Sequence, residues 1–134
     1  MSSNTFYFGE HLIIDAYKGD FKSLNDRELI LGCLDELPDL LNMNKLSKPE
    51  IYFTSGNGIH DPGGWSGYVI ITESHISIHT FPKRGFMSAD IYTCKNKINN
   101  IDFIINYFKQ KFKFINIKTK LLKRGTLYPL RDIY

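Results

Sequence analysis

The residues best suited to chemistry lie together on one short stretch, residues 70–82. It carries Ser74, His75 and His79. From His75 onward polar and apolar residues alternate, which predicts a β-strand with Ser77 and His79 on one face. A serine hydroxyl becomes a nucleophile when a base takes its proton, and histidine suits that task near neutral pH. This stretch is therefore the first candidate for a reactive site.

Hydrophobic periodicity predicts strands throughout the chain. A β-branched and aromatic run ends at Thr72 and alternation resumes at His75, so two strands meet at Glu73-Ser74. Further strands are predicted at residues 5–17, 49–55, 86–94 and 115–121. The first of these carries His11 and Asp15 on one face, which we interpret as a solvated strand face.

Two helices are predicted where apolar residues recur at helical intervals. The first begins at Ser23 and Asp26, which have capping-box spacing, and ends or kinks near Leu37 because Pro38 removes a backbone donor. The second is capped by the Asn-Asn pair at 99–100. The order β-α-β-β-β-α-β describes an α+β fold, a two-layer sandwich with helices on one face of a mostly antiparallel sheet.

The length of 134 residues is that of a single domain, 1–134, with room for one core. A chain this short is small for an enzyme that must enclose a substrate, so we expect a site shared between protomers. The apolar fraction of 43%, which includes ten Phe and eight Tyr, indicates an ordered globular domain. The net charge of +3 is modest and its lysines are dispersed, which does not indicate nucleic-acid binding.

The sequence shows no secretory h-region and no apolar span of membrane length, so we expect a cytoplasmic protein without membrane insertion. Its two cysteines, Cys33 and Cys94, are then expected to stay reduced. The glycine-rich segment 56–65 ends in the only Trp of the chain and precedes Ser66. We interpret it as a substrate loop; the alternative is a long surface turn.

The string from Glu73 to Pro82, together with Ser66-Gly67 upstream and Asp90-Ile91-Tyr92-Thr93-Cys94 downstream, resembles the self-cleaving prokaryotic S-adenosylmethionine decarboxylases, which use a pyruvoyl group. The match is gapless over residues 66–94, and weaker similarity includes residues 9–15 and 123–125. The resemblance implies the same two-layer fold and a homodimer or higher homo-oligomer with shared active sites. It also implies a role in polyamine biosynthesis.

The resemblance implies specific roles for five residues. Ser74 attacks the Glu73 carbonyl, which cleaves the chain into 1–73 and 74–134 and leaves a pyruvoyl group derived from Ser74. That group is the electron sink for the carbanion that decarboxylation creates. Ser66 matches the serine that assists self-cleavage, and His79 the histidine that takes the proton during elimination. Cys94 matches the cysteine that protonates Cα after carbon dioxide leaves.

Apart from the resemblance, these residues have ordinary structural interpretations. A lone His79 would be a half-buried strand histidine, and Cys94 a small buried thiol. His75, His79 and Cys94 could form a metal set, but their spacing is that of β alternation rather than of a zinc motif, so no metal is predicted.

The substrate is expected to be a small amino-acid-type molecule, S-adenosylmethionine by the family resemblance. His60 and Lys83 stand where the family has an adenine-stacking aromatic and a ribose-binding glutamate. Phe8 and Trp65 could supply the stacking, and an arginine or ornithine substrate would need Glu10, Asp61 or Asp90 as its acidic partner. The predicted substrate-binding residues are Phe8, Glu10, His60 and Trp65.

Two other functions stay open. The first is a pyruvoyl-dependent arginine or ornithine decarboxylase on the same fold. A distant alternative is a non-catalytic RNA-binding or regulatory domain, because the β-α-β-β order with Lys83-Arg84-Gly85-Phe86 is similar to an RNA-recognition module. Ser88 stands where that module has its second Phe.

Overall fold

The computed structural model describes residues 7–60, 62–72, 74–94, 98 and 100–127, and these residues contain one antiparallel sheet of six strands. Across the sheet the strands lie in the order β2-β3-β4-β5-β1-β6. Their bounds are β1 Gly9–Tyr17, β2 Glu50–Thr54, β3 Gly64–Ile71, β4 Ser74–Phe81, β5 Phe86–Thr93 and β6 Asn116–Arg124.

Three α-helices accompany the sheet in the described residues: α1 (Phe21–Leu24), α2 (Arg27–Leu40) and α3 (Ile101–Phe112). A short 3-10 helix, Pro82–Arg84, lies between β4 and β5. Asp20 caps α1 by accepting a hydrogen bond from the Ser23 backbone, and Asp26 caps α2 by accepting one from the Leu29 backbone. The predicted capping box was wrong, because Ser23 lies inside α1 and the cap of the long helix is Asp26. The long helix also continues past Pro38 to Leu40.

The helices cover one face of the sheet, as predicted. Leu12, Ile14 and Ala16 alternate inward along β1 and are buried together with the apolar residues of α2 and α3. Phe108 and Phe112 of α3 are fully buried in this layer. The α+β class, with helices on one face, is confirmed. The predicted order had three strands between the two long helices, whereas the structure has four, because residues 64–81 form two full strands.

The opposite side of the sheet, which we name the open face, carries mostly polar side chains. Its residues alternate with the core residues on each strand and include His11, Ser66, His75, Ser77, His79, Asp90 and Tyr92. No helix in the described part of the chain is long and apolar enough to cross a lipid bilayer.

A glycine starts the strand that presents Ser66. Gly64 has a φ of 152°, and a Cβ at this position would lie 1.8 Å from the carbonyl oxygen of Thr80. Only glycine allows β3 to approach β4 this closely. The close approach sets the register in which Ser66 faces His79.

Candidate active site

A row of buried polar residues crosses three strands at one end of the sheet. Ser74 opens β4 and is 9% exposed, Thr93 closes β5 and Glu10 lies opposite Thr93 on β1. These are three of the four buried polar residues in the described chain. The Oγ atom of Ser74 accepts a hydrogen bond of 2.9 Å from the backbone N–H of Cys94. The predicted nucleophile and the predicted proton donor are therefore neighbours.

Both carboxylate oxygens of Glu10 accept hydrogen bonds from within the chain. Its Oε1 accepts a 2.7 Å hydrogen bond from the backbone N–H of Ile98, and its Oε2 accepts one of 2.7 Å from the Tyr7 hydroxyl. The buried carboxylate thus holds Ile98 against the start of β1.

Ser66 and His79 form a second pair, on the open face. They are direct partners in the β3–β4 register, and the Ser66 Oγ lies 2.8 Å from the His79 Nδ1. Either atom can donate in this bond, depending on the imidazole tautomer. The structure brings these two residues into contact, which is the geometry that a hydroxyl and a proton acceptor need to exchange a proton.

The two pairs are far apart in one chain. His79 follows Ser74 by five residues on β4, and a strand rises about 3.3 Å per residue, so the two positions are roughly 17 Å apart. Alternation also directs Ser74 to the side of Ile76 and Ile78, while His79 lies on the open face. A proton cannot pass directly between these groups over that distance.

The open face carries a hydrogen-bond network that the sequence interpretation missed. Arg124 lies 2.9 Å from the Nδ1 of His11, and because a guanidinium only donates, Nδ1 accepts. The proton of His11 is then on Nε2, which donates to Asp90 at 2.9 Å. The other oxygen of Asp90 accepts from the Ser77 hydroxyl and lies 3.4 Å from the His75 Nε2.

His11 was predicted to be solvated, and that prediction was wrong. Its side chain is 16% exposed and both ring nitrogens have partners. Burial alone would raise the pKa of Asp90, but the hydrogen bonds from Ser77 and His11 outweigh it, so the pKa lies below its ordinary value. Asp90 is therefore an anion held at the centre of this network.

Three ligand-type atoms in the network, from His11, His75 and Asp90, lie within 4.8 Å of one another. Imidazole and carboxylate are suitable ligands for a transition metal. However, the Arg124 contact keeps the proton on the His11 nitrogen that faces Asp90, and a protonated nitrogen cannot coordinate a metal. We therefore interpret the cluster as a network of hydrogen bonds.

The predicted substrate-binding aromatics do not gather around Ser74. Trp65 follows the alternation to the helix side of β3, opposite to Ser66, where it packs on Phe53 at 4.8 Å between ring centroids. Its indole N–H donates to the Asn25 carbonyl at 3.2 Å. Beside it is a cavity of about 180 Å³. The cavity is lined by Phe21, Asn25, Phe53, Ser55, Pro62, Gly63, Gly64, Pro82 and Lys83.

The remaining predicted residues lie in separate places. His60 is exposed in the glycine-rich loop, and its carbonyl lies 3.4 Å from the guanidinium of Arg84. The backbone N–H of Phe8 donates to the Arg124 carbonyl at 2.7 Å, at the end of the sheet that contains Ser74. Glu73, the other half of the predicted cleavage pair, lies outside the described residues.

Comparisons with known proteins agree with this geometry. The sequence profile of the S-adenosylmethionine decarboxylase family matches residues 10–125. An S-adenosylmethionine decarboxylase proenzyme of Clostridium botulinum strain Langeland is 34% identical over 121 residues, which is 90% of this chain and 97% of that protein. A proenzyme of the same name from Sulfurihydrogenibium sp. is 33% identical over 122 residues, which is 89% of this chain and 84% of that protein.

A solved structure, the adenosylmethionine decarboxylase of Aquifex aeolicus, superimposes with a TM-score of 0.72 at 27% sequence identity. The match covers 89% of this chain and 92% of that one. The fold and the profile together define a decarboxylase of the carboxy-lyase class. The chain belongs to the S-adenosylmethionine decarboxylase family.

Proposed function

We propose that this protein is a self-processing, pyruvoyl-dependent decarboxylase that converts S-adenosylmethionine to decarboxylated S-adenosylmethionine for polyamine biosynthesis. The observation that carries the proposal is the 2.9 Å hydrogen bond from the Cys94 backbone to the Ser74 Oγ. It joins the residue that would be converted to the cofactor with the residue that would supply a proton. The names of the relatives, which are proenzymes, support self-processing.

The chemistry of self-processing begins at Ser74. Its hydroxyl attacks the carbonyl carbon of Glu73, the amide C–N bond breaks, and an ester joins the two residues. A base then removes the Cα proton of Ser74 and the Glu73 carboxylate leaves, which gives dehydroalanine. Water replaces the nitrogen, ammonia departs, and the new chain begins with pyruvoyl. The reaction needs a serine held out of bulk water in a fixed position, and Ser74 is buried and hydrogen-bonded.

The residues around Ser74 fit this group. Ser74 lies at the first position of a strand, so a new chain terminus there would leave the rest of β4 in the sheet. The pyruvoyl group supplies the electron sink for decarboxylation. The chain supplies the rest of the chemistry: Cys94 beside Ser74 as the acid, and the Ser66–His79 pair for proton transfer during processing.

The second pair can serve Ser74 only from another copy of the chain. Within one chain the separation of roughly 17 Å exceeds the reach of a hydrogen bond several times over. In a dimer, Ser66 and His79 of one protomer would act on Ser74 of the other, with two equivalent sites related by a twofold axis. We propose such a homodimer, with each site assembled from both protomers.

Mass spectrometry of the denatured protein tests self-processing. We expect two chains, 1–73 and 74–134, and the second should be lighter by one ammonia than a chain beginning with serine. Ser74→Ala should remain intact. Ser77→Ala, three residues along the same strand, removes a hydroxyl from the open face and should still be cleaved. A wild-type protein that stays intact after prolonged incubation would contradict the proposal.

The proposed role of Cys94 as an acid needs a reduced thiol, and the cysteines of this chain are compatible with a reducing compartment. Cys33 and Cys94 form no disulfide, and Cys33 is buried in the core. Burial raises the pKa of the Cys33 thiol to about 11, so it stays protonated and inert near neutral pH. We propose a cytoplasmic location, in which the Cys94 thiol is kept reduced for proton transfer.

A further inference from the structure

Arg124 ends β6, at the end of the sheet that contains Ser74. It is the direct partner of Gly9 on β1, and a Cβ on Gly9 would lie 3.2 Å from the Cα of Cys94, which follows β5. The register therefore places Arg124, Gly9 and Cys94 in one row across three neighbouring strands. Because the backbone N–H of Cys94 donates to the Ser74 Oγ, this row lies directly beside the proposed reactive residue.

The side chain of Arg124 extends over the open face toward β5. Its guanidinium carbon lies 5.2 Å from the centre of the Tyr92 ring on β5, and a guanidinium nitrogen donates to the Nδ1 of His11 on β1 at 2.9 Å. Gly9 contributes no side chain between Arg124 and Cys94. The guanidinium is therefore held across the sheet, on the side of β6 where Cys94 lies.

Most of the hydrogen-bonding capacity of this guanidinium is unused by the contacts just described. A guanidinium has five N–H donors, and the bond to His11 uses one of them. The backbone is fixed separately, since the carbonyl of Arg124 accepts from the N–H of Phe8 at 2.7 Å. None of the ion pairs within the described ranges of the chain involves Arg124, and its side chain is exposed. A cation held in this way is suited to an anionic ligand, and its planar donors match the geometry of a carboxylate.

We propose that Arg124 binds the α-carboxylate of the substrate and so selects an amino acid over the amine that decarboxylation makes from it. The inference rests on the proposed function, in which the amino group of the substrate reacts at the group derived from Ser74. That amine and the α-carboxylate share one carbon atom, so the carboxylate must lie close to Ser74. The backbones of Cys94 and Arg124 are two strand spacings apart, roughly 10 Å, and the side chain of Arg124 already spans part of this gap.

The contact acts on substrate binding rather than on the chemical step. Decarboxylation breaks the bond between Cα and the carboxyl carbon; the electron pair stays on Cα, and the carboxylate departs as neutral carbon dioxide. The attraction to the guanidinium therefore weakens as the bond breaks and cannot accelerate the step. Loss of Arg124 should raise KM for the substrate without lowering kcat.

Calorimetry on inactivated protein measures this contact without turnover. Borohydride reduces the ketone of the pyruvoyl group to an alcohol, which leaves a processed protein that cannot react with an amine. On this protein Arg124→Ala should weaken binding of S-adenosylmethionine roughly 10- to 100-fold, the effect of losing a hydrogen bond between charged groups. Binding of decarboxylated S-adenosylmethionine, which lacks the carboxylate, should not weaken.

Lys123→Ala is the matched control. Lys123 precedes Arg124 on β6, so this variant removes one positive charge from the same end of the sheet, but the Lys123 ammonium lies over the Tyr7 ring at 5.0 Å rather than beside His11. Neither ligand should bind this variant more weakly. Arg124→Lys keeps the charge but loses the planar pair of donors, so its affinity for S-adenosylmethionine should be intermediate.

Two results would overturn the proposal. The first is equal weakening of both ligands in Arg124→Ala, which a purely structural role would give. The second is wild-type affinity for both ligands. If Arg124→Ala does not fold, the same comparison of the two ligands on Arg124→Lys decides between these outcomes.

Steady-state kinetics separate this inference from the proposed function. If the processed wild type releases carbon dioxide from S-adenosylmethionine but Arg124→Ala has the wild-type KM, the proposed function stands and the role of Arg124 is refuted. If the wild type decarboxylates arginine or ornithine instead, the substrate assigned in the proposed function is wrong. A raised KM for that amino acid in Arg124→Ala, with no weaker binding of its amine product, would still support the contact, because each of these substrates carries an α-carboxylate.

Discussion

Two inactive variants should restore self-cleavage when they share a dimer. His79→Ala keeps the nucleophile Ser74 but lacks the base, and Ser74→Ala keeps the base but lacks the nucleophile. Each alone should stay uncleaved. The structure predicts rescue because Ser74 and His79 of one chain are roughly 17 Å apart, whereas direct proton transfer needs about 3 Å between heavy atoms.

The expected yield follows from random assembly. In an equal mixture about half of the His79→Ala chains pair with a Ser74→Ala chain, if the protein forms twofold dimers. Each mixed dimer has one complete site, formed by Ser74 of the first chain and His79 of the second. Up to about half of the His79→Ala chains should therefore be cleaved, and none of the Ser74→Ala chains.

Co-expression of the two variants with different affinity tags provides the assay. Denaturing mass spectrometry then reports cleavage for each chain separately. Ser77→Ala in place of Ser74→Ala is the control for subunit exchange, since it also retains His79 and should rescue the partner equally well. Absence of cleaved His79→Ala chains in mixed dimers that are purified through both tags would refute the shared site.

Three further outcomes are expected. His79→Ala alone should stall at the ester, which hydroxylamine would cleave into two chains; an intact protein after hydroxylamine would contradict a role in elimination. Asp90→Asn should cost about 1–3 kcal/mol of unfolding free energy at pH 7. Because the pKa of Asp90 is lowered in the folded protein, its ionised carboxylate stabilises the fold above the ordinary pKa, and this stabilisation is lost as pH falls through the lower folded pKa. The unfolding free energy of Asp90→Asn, measured by urea denaturation, should therefore vary less than that of the wild type between about pH 5 and about pH 2. The same acid dependence in both proteins would refute this role. Phe108→Ala should lower the unfolding free energy by about 3–5 kcal/mol, because Phe108 is fully buried. Phe103 is 44% exposed on the same helix, so Phe103→Ala should lower it by less than about 1 kcal/mol. Equal decreases of Tm in the two variants would contradict the assigned core.

Much of the fold could be predicted because half-buried strands have a period of two. The alternation from His75 to Phe81 identifies β4 and its two faces without any tertiary information. The predicted order of strands and helices lacked one strand. The hydrophobic pattern alone does not show whether two adjacent strand-like stretches form one strand or two. The helix after Asp26 was predicted too short because Pro38 removes one donor without ending the helix.

Only part of the candidate active site could be predicted from the sequence. The pair Ser66 and His79 was predicted from motif resemblance, and the structure brings them together. Ser74 and His79 are five residues apart on one strand, so the sequence already places them on opposite faces of the sheet. The sequence does not show which face of the sheet contacts a second protomer. The network of His11 depends on the register of β1 against β5 and β6, and neither neighbour is close in sequence.

Release of carbon dioxide from carboxyl-labelled S-adenosylmethionine measures the proposed decarboxylation directly. Labelled arginine and ornithine are assayed in parallel, and Ser74→Ala is the blank. We expect release from S-adenosylmethionine by the processed wild type, and no release from the other two substrates or from Ser74→Ala. Release from arginine or ornithine with none from S-adenosylmethionine, or no release from any substrate by fully processed protein, would contradict it.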